Sequence, residues 1–366
     1  MKILISTIFK DLHADAVTWW FSDSKHEVVL WANSDIPVKQ LLSIHISNER
    51  RERVESKGEN VNITFSDFDV VWSRRLYVQE ISSEYDAADR AVAKNNLESL
   101  VNSGFYLGGE SPFWVNDHKS AVYSEYKANQ LSAARKCGLK IPDTLISNDP
   151  DDVRAFCKKH GGTVIFKPLD VMSWRSAKEN LTVFTTPIKI EDLDDDDSVK
   201  SCPAIFQDYV EKDVELRIVV MGRTCVAISI ASQLQKSSQH DWRLGEIEGE
   251  RPPMELFELP SDIHSKCINL AKSMGLAYGA IDMVLTPSGD YIFIEINPMG
   301  QFLWMEESVP QLPLLDIFCQ FLISGSADFI WQGNYSGKSL EQYYKSKSYY
   351  KFSNNIDVKN VPIEII

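Results

Sequence analysis

Tyr278 to Glu307 reads YGAIDMVLTPSGDYIFIEINPMGQFLWMEE. Two short apolar runs, Ala280 to Leu285 and Tyr291 to Ile296, flank Thr286-Pro287-Ser288-Gly289-Asp290, which has the composition of a turn. The pattern predicts an antiparallel hairpin with Asp282 on its first strand and Glu295 and Asn297 on or just past its second. Residues two apart on a strand share a face, so Glu295 and Asn297 project together and the hairpin folds Asp282 back towards them. Two carboxylates and an amide oxygen are hard donors that suit Mg²⁺ rather than zinc. These acids interrupt runs of Ile, Phe and Met. Unpaired carboxylates are costly in such a setting, and a bound cation offsets that cost.

The rest of the chain sets bounds around this stretch. Its 366 residues exceed what one compact core usually holds, so two or three domains or subdomains are expected. With 44% hydrophobic and 25% charged residues it has an ordinary globular composition. The net charge of -14 argues against non-specific nucleic-acid binding, which needs clustered Lys and Arg. The start, Met1-Lys2-Ile3-Leu4-Ile5, is too brief an apolar run for a signal peptide, and nothing approaches the length of a membrane span. Six scattered cysteines without a CxxC pair read as reduced and structural, which places the chain in the cytoplasm.

Taken in order, Lys2 to Thr7 and His26 to Trp31 read as strands around a helix from Asp11 to Phe21. No glycine-rich loop follows the first strand, so a dinucleotide fingerprint is missing. The apolar run Phe68 to Ser73 ends in Arg74 and Arg75, a candidate clamp for a phosphate or substrate carboxylate at the carboxyl end of a strand. Ser82 to Ser103 and Asn116 to Gly138 each read as a single helix, and Thr163 to Pro168 as a buried strand carrying Lys167. The polar stretches 171–180 and 232–251 read as loops able to act as lids. His240 is an isolated histidine with a surface position expected, and the tail beyond about residue 330 is expected to be peripheral.

Charges of both signs then converge on one ligand class. Lys127 and Lys167 are candidates for α- and β-phosphate contacts. Gln207, Asp208, Tyr209 and Val210 offer backbone groups to an adenine edge, and Glu215 offers a carboxylate to ribose hydroxyls. With Mg²⁺ on Asp282, Glu295 and Asn297, this is the part list of a nucleotide site without a P-loop.

The ordered set of two lysines, a Gln-Asp-Tyr-Val hinge, Glu215, Asp282 and Glu-x-Asn resembles the ATP-grasp superfamily. Asp69-Val70-Val71-Trp72-Ser73-Arg74-Arg75, Trp114-Val115-Asn116, Gly138 to Asn148, Val214-Glu215-Leu216-Arg217, Asp241-Trp242-Arg243 and Glu295 to Trp304 narrow it to the microviridin-type graspetide ligases, over roughly residues 1 to 325. Met299 and Ser73 depart from the residues common at those positions.

The resemblance implies an α/β fold in three parts. These are an N-terminal α/β domain over 1–117, a central lid subdomain over 118–206 and a C-terminal subdomain with an antiparallel sheet over 207–330. A peripheral tail over 331–366 would follow. It also implies a homodimer acting on a ribosomal precursor peptide of leader and core. Asp or Glu side chains of that peptide would be activated by ATP and joined to Thr or Ser hydroxyls or Lys amines. Arg217, with Arg243, would steady the transferring phosphoryl group or the carboxylate, and Asp241 would serve as base. Two other readings share the nucleotide residues. One is a RimK-like ligase that adds amino acids to a carboxylate; the other is a non-catalytic nucleotide-binding scaffold.

Overall fold

The computed structural model describes all residues except 50, 51, 60, 78–80, 109–111, 170–172, 176–179, 183, 184, 240, 248 and 355–366. His240 and most of the 171–180 stretch therefore lie outside the described residues.

The N-terminal part is built from β1 (Lys2–Thr7), α1 (Leu12–Trp20), β2 (Glu27–Ala32), β3 (Gln40–His45), β4 (Arg53–Gly58), β5 (Asn62–Thr64), β6 (Val70–Ser73), α2 (Ala87–Tyr106) and β7 (Phe113–Val115). Strands β2-β1-β6-β7 form a parallel sheet in that order. The strand β1 is buried on both faces, with Ile3, Leu4 and Ile5 fully enclosed. That is why it reads as a continuous apolar run rather than an alternation. Strands β3, β4 and β5 form a separate antiparallel sheet that the sequence reading did not foresee. Its residues alternate with charged ones and look like loop.

Next come α3 (His118–Glu125) and α4 (Lys127–Lys136). The single helix expected over 116–138 is thus two. Tyr126, between them, is extended at φ -73 and ψ 114. No Pro or Gly marks the break. It is held by tertiary contacts: the Gln130 amide donates to the freed carbonyl of Ser124 at 2.6 Å, and Asp117 caps α3 by accepting from Ser120 N–H.

The central sheet has the order β12-β9-β13-β8 and is antiparallel throughout. It comprises β8 (Thr144–Ser147), β9 (Thr163–Pro168), β12 (Thr186–Lys189) and β13 (Ala204–Gln207), with β10 (Ser173–Arg175) and β11 (Asn180–Thr182) pairing as a separate ribbon. Helices α5 (Pro150–Lys159) and α6 (Asp196–Ser201) complete it. Its own core joins Val153, Cys157, Val164 and Phe206.

The third sheet, β16-β15-β14-β17-β18, is also antiparallel. It uses β14 (Val214–Met221), β15 (Thr224–Ile230), β16 (Met254–Phe257), β17 (Tyr278–Leu285) and β18 (Tyr291–Asn297), with α7 (Trp242–Ile247) and α8 (Ser261–Ser273). Part of the stretch read as a loop, 232–251, is therefore helical. Leu131 and Ala134 of α4 share the apolar core under this sheet, so α4 packs with the C-terminal sheet.

The chain ends in α9 (Leu303–Ser308), α10 (Leu314–Ser324), α11 (Leu340–Tyr344) and α12 (Lys347–Asn354). The tail expected to be peripheral is docked: Leu340 and Tyr343 are 2% and 0% exposed. The physical reason is a pair of buried acids. Glu306 accepts from Leu315 N–H and Leu340 N–H, both at 2.7 Å, so one carboxylate satisfies the first turns of α10 and α11. Asp316 accepts from Trp20 Nε1–H at 2.9 Å and from Ser336 N–H at 3.2 Å. Glu306→Ala leaves two buried amides without partners, so a loss of about 2–4 kcal/mol in urea unfolding is expected. A loss below about 0.5 kcal/mol would show that the tail is not held this way.

Candidate active site

A cleft of about 260 Å³ opens between the central and C-terminal sheets. It is shaped by the register of the C-terminal sheet. Arg217 of β14 lies opposite Asp282 of β17, and Asp282 lies opposite Glu295 of β18. The three side chains therefore form one row across adjacent strands. The expected hairpin exists at these residues, and its register shifts between Asp282 and Met283. Such a bulge re-aims side chains beside it.

Each acid of the row is held by a cation. Arg217 Nη1–H donates to both oxygens of Asp282, at 2.9 and 3.0 Å, and Lys127 Nζ donates to Glu295 Oε2. Lys127 begins α4, and Gln130, three residues on along the same face, locks the helix to β18. Its amide donates to Ile296 O at 2.9 Å and accepts from Ile296 N–H at 3.1 Å. Across the cleft stands Lys167 on β9. Desolvation pushes its ammonium down to about 8; Glu295 opposes this, and Lys127 and Lys212 reinforce it. Lys127 chiefly holds Glu295 well below the usual carboxylate range. Desolvation raises Asp282, Arg217 opposes this, and the nearby Glu295 charge reinforces it.

Two acids so close repel each other, which a dication between them would relieve. Asn297, at the end of β18, lines the same cleft and keeps an amide oxygen that also accepts from Met299 N–H at 2.9 Å. Among the described residues no third acid, imidazole or thiolate joins them. The donor set is thus two carboxylates and an amide, which fits a hard, oxygen-seeking ion.

The structure brings Arg75, Lys127, Lys167, Arg217, Asp241 and Arg243 to this cleft. Gln207, Asp208, Tyr209, Val210 and Glu215 line it as well, with Lys212 beside Glu215 at 3.0 Å. Arg74 is a correction. It is 2% exposed; its Nη1–H donates to Met299 O at 2.8 Å and its Nε lies 3.4 Å from Asp11 Oδ2. It ties the N-terminal sheet to the turn after β18 instead of facing a ligand. Asp241 is a second correction of emphasis. Both its oxygens are taken by Arg243, at 2.7 and 2.6 Å, so it orients that guanidinium, and a base role requires the pair to part.

Sequence reasoning gave no role to the residues that brace the site, although Asn116, Gly300 and Trp304 lie in the motifs that carry the family resemblance. Asn116 is 2% exposed and makes four hydrogen bonds, two from its amide to Tyr278 O and Pro298 O and two to its oxygen from Ala277 and Tyr278 N–H, all at 2.8–2.9 Å. It pins the start of β17 to the turn after β18. His13 Nε2 accepts from Phe302 and Leu303 N–H at 3.1 and 3.2 Å. Trp304 packs on Trp242 with ring centroids 4.8 Å apart and lies 5.9 Å from the Arg217 guanidinium. Gly300 is required by close approach: a Cβ there would come within 2.4 Å of Ala280 Cβ and 3.0 Å of Arg217 Nη2.

Two facing antiparallel sheets, with Lys167 on one side and Lys127 and the acid row on the other, give the chain the architecture of the ATP-grasp ligases. It superposes on a RiPP-associated ATP-grasp ligase from Chryseobacterium gregarium, solved with ADP and a leader and core peptide. The TM-score is 0.79 at 28% identity, covering 89% of this chain and 97% of that one. Macrocyclase MdnC from Microcystis aeruginosa MRC, solved with precursor peptide MdnA, matches with a TM-score of 0.77 at 26% identity over 88% and 100% of the two chains. The ligase PsnB, solved with a minimal precursor, Mg and ADP, shares the fold at 20% identity and a TM-score of 0.69 over 88% and 96%. No protein-family profile and no curated protein matches the chain. Within that class the fold is shared with solved RiPP-associated ligases and precursor-peptide macrocyclases.

Proposed function

We propose that the chain is an ATP-dependent peptide macrocyclase. It phosphorylates an Asp or Glu side chain of a ribosomal precursor peptide with the γ-phosphate of ATP, giving an acyl phosphate and ADP. A Thr or Ser hydroxyl, or a Lys amine, of the same peptide attacks that carbonyl. Phosphate leaves, the nucleophile loses its proton, and a side-chain ester or amide closes a ring. The observation that carries this reading is the Arg217–Asp282–Glu295 row facing Lys127 and Lys167, in a fold shared with peptide-bound ligases.

Each residue then has a task. Lys127 and Lys167 hold the phosphates, Gln207 to Val210 the base and Glu215 the ribose. Arg217 and Arg243 meet the charge that develops on the phosphoryl group or the carboxylate, and Arg75 is placed to hold the peptide. Asp282, Glu295 and Asn297 hold Mg²⁺, which neutralises charge on the phosphate oxygens when bound. A homodimer in the cytoplasm is the expected setting. Among the described residues, no helix is long and apolar enough to cross a membrane.

The test is to incubate the full chain with ATP, Mg²⁺ and candidate precursor peptides that carry Thr, Ser or Lys together with Asp or Glu. Peptide-dependent ADP release with loss of one water per ring is expected. A mass gain of an amino acid would instead point to ligation, and an unchanged peptide would overturn the proposal.

Lys167 adds a pH signature. Its ammonium titrates at about 8 in the free protein, and bound phosphates favour the charged form. Nucleotide binding should therefore take up a proton above pH ~8, and affinity should fall as pH rises through that value. Calorimetry in two buffers of different ionisation heat measures the uptake. No proton uptake would remove Lys167 from the phosphates.

A further inference from the structure

We propose that Lys212 is a positioning residue for the ribose of the nucleotide: it grips one oxygen of the Glu215 carboxylate so that the other is aimed at the sugar hydroxyls. This role depends on the cleft being a nucleotide site, as proposed above.

Lys212 Nζ donates to Glu215 Oε1 at 3.0 Å, and both side chains line the cleft. They are 13% and 18% exposed, so the pair is screened by water less than a surface ion pair and holds its geometry more firmly. Different stretches of backbone carry its members. Glu215 lies within β14, opposite Ile230 of β15 and Val284 of β17. Lys212 lies in the link between Val210 and β14, and the N–H of Asp213 beside it donates to Leu285 O at 2.9 Å. The link is thus pinned to β17, the strand that also carries Asp282.

A carboxylate in this place meets difficulties that Lys212 answers. Glu215 shares a face of β14 with Arg217, two residues or about 7 Å further along, at the phosphate end of the proposed site. An anion so near phosphates is repelled by them, and a cation paired with it offsets the repulsion. A glutamate side chain also has several rotatable bonds, and a sugar hydroxyl gains most from an oxygen that is already in place. The ammonium on Oε1 fixes the side chain and leaves Oε2 to accept from the ribose. The charge of Lys212 also reaches Lys167. A direct contact with phosphate is therefore the competing role, and it gives a different result in the experiment below.

The test measures, by calorimetry on the full chain with Mg²⁺, the Kd for ADP and for its 2′,3′-dideoxy analogue at one pH and salt concentration. The ratio of the two Kd values isolates the sugar hydroxyls. Wild type should favour ADP by roughly ten- to hundredfold, the worth of hydrogen bonds to an ionised acceptor. Lys212→Met should bring the ratio down to about threefold or less, as the carboxylate loses its fixed orientation. Lys212→Arg should keep most of the discrimination, and Lys212→Gln serves if the methionine variant does not fold. On a Glu215→Ala background, Lys212→Met should change the ratio no further. A Lys212→Met protein that binds both nucleotides more weakly at an unchanged ratio would overturn the proposal, because a phosphate contact or a merely structural lysine gives that result. Equal binding of both nucleotides by wild type would overturn it together with the ribose role of Glu215. No ADP binding at all would instead overturn the nucleotide reading of the cleft.

Discussion

Replacing Glu295 by alanine should abolish both peptide-dependent ADP release and ring formation, by on the order of a thousandfold or more. Glu295 serves two partners at once. It is one of two carboxylates in the donor set, and it is the partner of Lys127, a phosphate ligand by the reading above. The alanine variant loses a proposed metal ligand and leaves Lys127 without its carboxylate partner. Because Glu295 faces the cleft and not the apolar core, the fold itself should survive, as circular dichroism can verify. Ring closure at a wild-type rate in a folded Glu295→Ala protein would remove the metal assignment, and with it the geometry of phosphoryl transfer.

Asn116→Ala should have the largest effect on stability of any substitution outside the apolar core, about 3–5 kcal/mol. Four backbone groups lose their side-chain partner together, and all are buried. Aspartate is no substitute: it cannot donate to Tyr278 O and Pro298 O. Urea unfolding of Asn116→Ala and Asn116→Asp measures the effect, and a loss under about 1 kcal/mol in the alanine variant would show that the β17 start and the turn after β18 are held by other contacts. Activity should fall as well. The same turn carries Asn297 and Gly300, which sets the approach of Arg217, whose Nη2 also donates to Gln301 O at 3.2 Å.

Much of the cleft was legible in the chain because its chemistry sits on regular strands. Asp282, Glu295 and Asn297 could be brought together from strand period and turn composition alone, since an antiparallel hairpin has few registers that bury Ile281 and Ile296. Lys167 was legible for a related reason: a charge in an otherwise apolar strand demands a partner.

What stayed hidden depends on contacts between distant segments. Arg74 and Arg75 are neighbours of one type, yet one serves the fold and the other lines the cleft; only the approach of Met299 and Asp11 decides which. The break at Tyr126 has no local signal, because Gln130 and Lys127 set the helix direction by gripping β18. The tail looked dispensable because its composition is polar, while its anchoring acids, Glu306 and Asp316, lie in earlier helices. Local chemistry thus determined the acid row, through a two-residue period that the backbone enforces. The tertiary structure decided which charges face a ligand and which are spent on the fold, because pairing between residues far apart in the chain follows no period.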